Sequence, residues 1–344
     1  MMPLMRPSSF ALRFLAYTSL AVILTAPGSA QKRRDQMQKP IAGPRATALR
    51  VTWLYVSPDT GSQKLERVQI GREMVIAERS APWLRVFANT DIEEVHNEAD
   101  EPVISEEATP PISGWIQARG IVEETTPNGD QVIMGEAENQ EAEASDPRGP
   151  AHAAQSARLL YRRVVEMFPN SPLAAEAAWR AADIQWQIQK ADASSRPSAK
   201  ERDPYMRDLM DEDEMKRVIK DFPHTPQADM AAFEILDNKM CGDWQGQEKC
   251  PERESAVYEK YGEEHPDGPR TAKALYEAAY RQCVLVDMYK ADHDDKKAAA
   301  AGRDAHDLVS HLKDKFPQSD YTPRAAALVF KIDQGIPVYG IDLQ

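Results

Sequence analysis

The sequence predicts a two-domain protein of mixed class, in which a small all-β barrel precedes an all-α array of helical hairpins. Residues 46–122 consist of short runs rich in Val, Ile and aromatic residues, divided by turn-forming segments. Residues 151–334 repeat one proline-containing junction. Residues 123–150, which lie between these regions, are acidic and contain few large apolar side chains, so we expect a mobile linker there.

Residues 1–30 have the features of a secretory signal peptide. Two arginines precede the apolar run FLAYTSLAVILTA, and the small residues Gly28 and Ala30 precede a predicted cut before Gln31. The run is shorter than the ~20 residues that span a bilayer. We expect a secreted, periplasmic protein with no transmembrane segment in the mature chain. Residues 31–45 are then a flexible basic tail, either solvated or in contact with anionic lipid.

The all-β region resembles a bacterial SH3 (SH3b) domain. The resemblance rests on the segments LYVSPDTGSQKLERVQIGREMVI, PWLRVFA and SGWIQARGIV, with the Gly114–Trp115 pair as its most telling element. The sequence departs from the family pattern at Ser57, where an arginine is usual, and in the acidic hairpin of residues 89–111. We interpret that hairpin as a solvated loop, with a cation site as the alternative.

The resemblance implies binding of a cell-wall peptide or a protein partner. Tyr55, Trp83 and Trp115 are the candidate binding residues of this domain. A small barrel also needs aromatic residues in its core, and this is the main interpretation of Trp83 and Trp115. For Tyr55, core packing and an aromatic peptide groove are equally good interpretations.

Four similar junctions, such as EMFPNSPLAAEAAWRAAD, divide the second half of the chain. A residue before proline avoids the α conformation, so each junction predicts the end of a helix. A cap residue followed by proline then predicts a restart. The predicted helix ends are Phe168, Phe222, His265 and Phe316. The predicted caps with their prolines are Ser171 and Pro172, Thr225 and Pro226, Gly268 and Pro269, and Thr322 and Pro323.

Alanine-rich helices after each junction allow close helix packing, and the pattern resembles tetratricopeptide (TPR) repeats of Gram-negative envelope proteins. The junction prolines lie 54, 43 and 51 residues apart, against about 34 in a standard repeat. We therefore predict a degenerate array with insertions as long loops between paired helices. These begin near Ala191, Cys241 and Ala291, and residues 335–344 form a C-terminal tail.

Trp179 and Arg180 are candidate binding residues on the concave surface of this array. An alanine-rich helix does not need either residue for packing, and Trp and Arg are enriched at binding hot spots. Filling a gap between hairpins is the alternative, and for Trp179 the main, interpretation.

The three cysteines allow one disulfide in an oxidising compartment. We predict a bridge between Cys241 and Cys250, which flank a polar turn, with free thiols or a bridge to Cys283 as alternatives. Cys283 lies on an apolar helix face and is predicted to be a buried, inert thiol rather than a nucleophile. The DHDD stretch around His293 is interpreted as a helix cap or solvated loop rather than a metal site.

The net charge of −13 argues against nucleic acid as a partner. The sequence contains no HExxH, GxSxG, CxxC or phosphate-binding glycine loop. We therefore predict a non-enzymatic envelope binding or scaffold protein that needs no cofactor or metal, with a protein or peptide partner and possible contact with peptidoglycan. The alternatives are a peptidoglycan amidase or peptidase, or its regulator, and a purely structural envelope protein.

Overall fold

The computed structural model describes residues 41–91, 111–195, 210–241, 244 and 246–339. The predicted signal peptide, most of the basic tail and most of the acidic hairpin lie outside these residues. The described part begins with a seven-stranded antiparallel sheet and continues with nine helices that pack as a repeat-like array. The predicted fold class, a β domain followed by an α domain, is confirmed. No helix in these ranges is both long and apolar enough to cross a bilayer.

The strands of the sheet follow the order β3-β2-β6-β5-β4-β1-β7. Apolar side chains such as Leu54, Val86 and Ile116 are fully buried and form the core of the domain. They alternate with residues on the other face because successive residues of a strand point to opposite sides. The strands are β1 Arg45–Ala48, β2 Thr52–Tyr55, β3 Lys64–Val68, β4 Glu73–Ser80, β5 Trp83–Ala88, β6 Ile112–Gln117 and β7 Ile121–Glu123.

The helices pack in sequence order, α5 meets α6 through the ring of Phe233 with those of Tyr258 and Tyr261, and α7 contacts α6, α8 and α9. Their apolar faces form separate clusters along the array. The helices are α1 Gly129–Ser145, α2 Ala153–Met167, α3 Ala174–Ser195, α4 Asp213–Asp221, α5 Pro226–Asp237, α6 Lys249–Glu264, α7 Thr271–Ala291, α8 Asp295–Lys315 and α9 Tyr321–Asp333.

The four predicted helix ends are confirmed. The C-cap residues of α2, α4, α6 and α8 are Phe168, Phe222, His265 and Phe316, each directly before a proline. The proline ring restricts the backbone of the residue before it, so this boundary is fixed locally.

The predicted restarts are correct at one junction only. Thr225 caps α5 by accepting a hydrogen bond from the N–H of Ala228, with Pro226 at the first helical position. Helices α3 and α7 instead begin three residues after Ser171 and Gly268, and α9 begins just before Thr322. A turn intervenes after Ser171 and Gly268, where Ala174 and Thr271 donate to their carbonyl oxygens.

The segment predicted to be a mobile linker is ordered, and this prediction was wrong. Residues 129–145 form α1, which buries Ile133, Met134 and Ala137 against α2. Gly129 lies so close to Phe168 that a Cβ atom there would be 2.6 Å from the ring. The few apolar residues of α1 are therefore enough to hold the helix in place, because they share one face and pack against the apolar face of α2.

The prediction of a long loop near Ala291 is also wrong. Only three residues separate α7 from α8, so the extra length of that repeat is helix rather than loop. Asp294 caps α8 by accepting from the N–H of Lys297, which agrees with the cap interpretation of the DHDD stretch. The Cys241 segment does form a connection between α5 and α6. The insertion that begins near Ala191 lies mostly outside the described residues.

The sheet is held against the first helices by a buried ionic network. Arg163 on α2 donates from Nε to the carbonyl oxygen of Gly71, 2.9 Å away, in the turn between β3 and β4. Its Nη2 lies 2.9 Å from the carboxylate of Asp91 and its Nη1 lies 3.9 Å from that of Glu73. Both carboxylates and Arg163 are almost fully buried. The β domain and the helical array are thus joined by direct packing.

Residues 335–339 of the predicted C-terminal tail dock onto the array. The N–H groups of Val338 and Tyr339 donate to Asp287 on α7, over 2.6 and 3.1 Å. The ring of Tyr339 lies 5.6 Å from that of Trp244 in the Cys241 segment. The array therefore ends on a segment that folds back onto α7.

Candidate functional site

Three neighbouring strands place aromatic side chains on the outer face of the sheet. In the register, Tyr55 on β2 is paired with Trp115 on β6, and Trp115 is paired with Arg85 on β5. Directly paired residues share a face, as do residues two apart on one strand. Trp53 and Trp83 therefore lie on the same side as Tyr55 and Trp115. We call these four residues the aromatic face.

The four residues of the aromatic face differ in solvent exposure. Trp83 is 8% exposed, and its ring meets that of Tyr55 edge-on at 5.5 Å. Tyr55 and Trp115 are half-buried, whereas Trp53 is 39% exposed. Trp83 is therefore a packing residue at the base of the aromatic face, which confirms its main interpretation and rules it out as a direct binding residue. Tyr55, Trp115 and Trp53 leave ring surface open to solvent.

Basic side chains surround this face. Lys64 on β3 is paired with Tyr55, and its Nζ lies 5.0 Å from the centre of the Trp53 ring. Arg67 is paired with Trp53 and is exposed. Arg85 stands opposite Trp115, with Glu78 on β4 3.8 Å away. The arrangement provides flat apolar surface for an extended chain and cations for its charged groups.

The loop of residues 56–63 beside the aromatic face is held by its own hydrogen bonds. The N–H of Val56 donates to the carbonyl oxygen of Gln63, and that of Ser57 donates to the hydroxyl of Ser62. Asp59 accepts from the N–H of Gly61 at 3.0 Å. The bond from Ser57 to Ser62 uses the backbone N–H of Ser57, which any non-proline residue would supply, so it does not explain why serine stands here instead of arginine.

Trp179 is a core residue, which confirms the main interpretation and removes it from the candidate binding residues. It is 6% exposed and packs with Trp186, Met215 and Val218 between α3 and α4. A large ring fills the space that the small residues of α3 leave between the helices. Its burial leaves almost no surface for a partner.

Arg180 bridges helices instead of presenting a free charge. Its Nε donates to Glu176 at 2.7 Å, and its Nη1 lies 3.2 Å from Glu141 on α1. The hydrogen bond with Glu176 raises the pKa of Arg180 above its usual value. Because the guanidinium is already paired on both sides, we no longer place Arg180 in the candidate site.

The cysteines are arranged as predicted. Cys241 and Cys250 form a disulfide, and Cys283 is a buried free thiol. Burial raises the pKa of the Cys283 thiol to about 12. A thiol that is buried and protonated at neutral pH is not a nucleophile, so Cys283 does not provide the chemistry of a cysteine peptidase.

Sequence reasoning missed Trp53, Lys64, Arg67 and Arg85. Trp53 carried a usable signal, because it alternates with Leu54 and shares a face with Tyr55. Lys64, Arg67 and Arg85 carried none, since their proximity to the aromatic residues depends on strand register, which the sequence does not reveal.

Comparisons with known proteins identify no family. No family model matches the chain, and no curated protein matches it. Among solved structures, the chain is similar to a de novo designed helical repeat protein, DHR64, with 16% identity, a TM-score of 0.22 and coverage of 60% of this chain and 92% of that one. It is also similar to the DHF79 filament, with 15% identity, a TM-score of 0.21 and coverage of 58% and 95%.

Proposed function

We propose that this protein is a non-enzymatic binding and scaffold protein of the bacterial cell envelope. Its SH3b-like domain binds an extended cell-wall or protein peptide on the aromatic face, and its TPR-like array contacts a protein partner. The observation that carries this proposal is the group of partly open rings of Trp53, Tyr55 and Trp115 on the adjacent strands β2 and β6.

Open aromatic surface of this kind favours recognition over stability. The domain already has a buried aliphatic core on the other side of the sheet, so Trp53 is not needed to complete it. Rigid aromatic rings offer large contact area at low cost in conformational entropy, which suits them to binding extended peptides.

The helical array supports the scaffold part of the proposal. Stacked helices expose extended surfaces that receive peptides or helices of partners. The Arg163 network fixes the sheet against α2, so the two binding elements are presented at a constant relative position. A rigid two-part surface of this kind suits a protein that brings two partners together.

Photo-crosslinking tests the site in cells. We would place p-benzoylphenylalanine at Trp53 and, as a matched control, at Ile188, an exposed apolar residue on α3. We expect a discrete adduct from position 53 that is lost when Trp115 is replaced by alanine, and none of that mass from position 188. Binding of the purified chain to isolated peptidoglycan, measured by co-sedimentation, distinguishes a cell-wall ligand from a protein. Absence of an adduct together with absence of co-sedimentation contradicts the proposal.

Two further measurements test location and the absence of enzymatic activity. N-terminal sequencing of the protein from the native envelope should give a chain that begins at Gln31, whereas recovery of Met1 or Met2 in a soluble cytoplasmic form contradicts export. Turnover of purified peptidoglycan by the mature chain, lost in Cys283→Ala, would contradict a non-enzymatic role.

A further inference from the structure

We propose that the aromatic face binds an acidic, extended segment of a partner protein, whose carboxylates pair with Lys64, Arg67 and Arg85. This inference rests on the proposed function and specifies the chemistry of the ligand. The three cations lie at the two ends of the aromatic face, with Lys64 and Arg67 on β3 and Arg85 on β5.

The cations at the β3 end are available to a partner. Lys64 lies over the ring of Trp53, and Arg67 is paired with Trp53 across the strands. Neither forms an ion pair with any other side chain in the described ranges. An exposed cation beside an aromatic ring has its aliphatic stem supported and its charge free, which is a favourable starting state for binding a carboxylate.

The cation at the other end is only weakly neutralised. Arg85 and Glu78 are 3.8 Å apart, and both side chains are more than half exposed. An exposed ion pair at this distance contributes little interaction free energy and is screened by salt. In the loop of residues 56–63, the carboxylate of Asp59 accepts the N–H of Gly61. Among the residues that the structure describes, the positive charge of the face is therefore not cancelled.

The aromatic face carries positive charge, whereas the net charge of the whole protein is negative. The chain carries a net charge of −13, so most of its surface repels an acidic segment. A local group of cations on such a surface steers an acidic ligand to one place and disfavours other sites. Charge complementarity thus identifies an acidic occupant in preference to a neutral or basic one.

The geometry also predicts the spacing of the acidic residues. Three strand intervals separate β3 from β5, which corresponds to about 14 Å at ~4.8 Å per interval. An extended chain covers this distance in roughly four residues. We therefore expect acidic residues about four positions apart, with apolar residues between them that lie on Tyr55 and Trp115.

Selection from a random dodecapeptide phage library tests the inference with the purified chain. We expect the wild-type protein to enrich peptides of net negative charge, with acids about four residues apart around apolar residues. The triple variant Lys64→Glu, Arg67→Glu, Arg85→Glu should lose this preference, and its melting curve should show that it remains folded. Wild-type enrichment of neutral or basic peptides, or unchanged preference in the triple variant, overturns the inference.

The same selection separates this inference from the proposed function. If Trp53→Ala abolishes enrichment but the selected peptides are neutral, the aromatic face binds peptides and only the acidic specificity is wrong. If the wild-type chain enriches no peptide, both are wrong. Enrichment that survives in Trp53→Ala and in Trp115→Ala places peptide binding elsewhere and also contradicts both.

Titration of one selected peptide measures the contribution of each charge. We expect Lys64→Gln, Arg67→Gln and Arg85→Gln each to weaken binding by roughly two- to fivefold, as exposed ion pairs do. Replacing the acids of the peptide by Gln or Asn should weaken binding similarly, and higher salt should weaken it further. Arg148→Gln is the matched control, because it removes one exposed charge from the helical domain and should leave the affinity unchanged. Equal effects of Arg148→Gln and of the three face variants contradict specific pairing.

Discussion

Arg163 on α2 donates a hydrogen bond from Nε to the carbonyl oxygen of Gly71, 2.9 Å away in the turn between β3 and β4. Gly71 has a φ of +80°, and a Cβ atom there would lie 2.7 Å from the Cβ of Leu159 on α2. The turn thus reaches the helix surface because it lacks a side chain. The contact is one reason that the sheet and the first helices pack as a unit.

Replacing Arg163 by alanine should destabilise the protein strongly. The change removes the buried guanidinium that Asp91 and Glu73 share. Asp91 then keeps Arg72 as an ion-pair partner and Glu73 keeps Arg45, so we expect a loss near the lower end of the about 3–5 kcal/mol typical of a broken buried ion pair. Urea unfolding followed by circular dichroism measures the loss. The matched control is Arg162→Ala, since Arg162 forms a partly exposed pair with Glu166 and should cost less than about 1 kcal/mol. Equal effects of the two variants would show that the network does not hold the domains together.

Replacing Trp179 by alanine should cost about 3–5 kcal/mol of unfolding free energy. The ring packs in a buried cluster with Trp186, Met215 and Val218, so its removal leaves a cavity between α3 and α4. Chemical denaturation measures the cost, and Ile188→Ala on an exposed position of α3 should be close to neutral. A folded state as stable as the wild type would contradict the core assignment.

Removing the disulfide should destabilise the chain by roughly 2–3 kcal/mol, because the bridge between Cys241 and Cys250 restricts a short loop of the unfolded chain. Unfolding of the Cys241→Ser, Cys250→Ser variant measures the loss. Mass spectrometry of an unreduced digest should show one linked peptide pair. Three alkylatable thiols in the unreduced, denatured protein would contradict the bridge.

Stability should fall as the pH rises above about 9. Burial raises the pKa of Cys283 to about 12, and burial together with carboxylate neighbours raises the pKa values of Tyr161 and Tyr258. These groups ionise near pH 8.5 and 10 in the unfolded chain, so their stabilising contribution is complete below those values. At higher pH the free energy of unfolding falls by up to about 1.4 kcal/mol per pH unit for each group that ionises only when the chain unfolds.

Denaturant unfolding at pH 8, 9.5 and 10.5 measures this pH dependence. Cys283→Ala should reduce the slope between the first two values and leave the tyrosine contribution above pH 10. Native alkylation by iodoacetamide gives an independent measurement. Cys283 should not react at pH 8 in the folded protein and should react fully in guanidinium chloride. Rapid labelling of the folded protein would show that the thiol is accessible and ionised.

The helix boundaries illustrate how much of the fold local sequence predicts. Phe168, Phe222, His265 and Phe316 end helices because the following proline restricts each of them directly. The start of α5 at Pro226 is equally local, since Thr225 supplies the cap. At the other junctions the turn that precedes the helix determines its start. Those turns depend on contacts with neighbouring helices, so the cap residues were misplaced.

By itself, the sequence determined the order of a β domain and an α domain, the helix ends and the cysteine pair. These features follow from side-chain alternation, proline sterics and short sequence separation, which act over a few residues. Only the tertiary structure decided that residues 129–145 form α1, that Arg163 joins the domains, and that Lys64, Arg67 and Arg85 surround the aromatic face. These depend on strand register and on packing between segments far apart in the chain, where the stabilising surface is supplied by a partner element rather than by the segment itself.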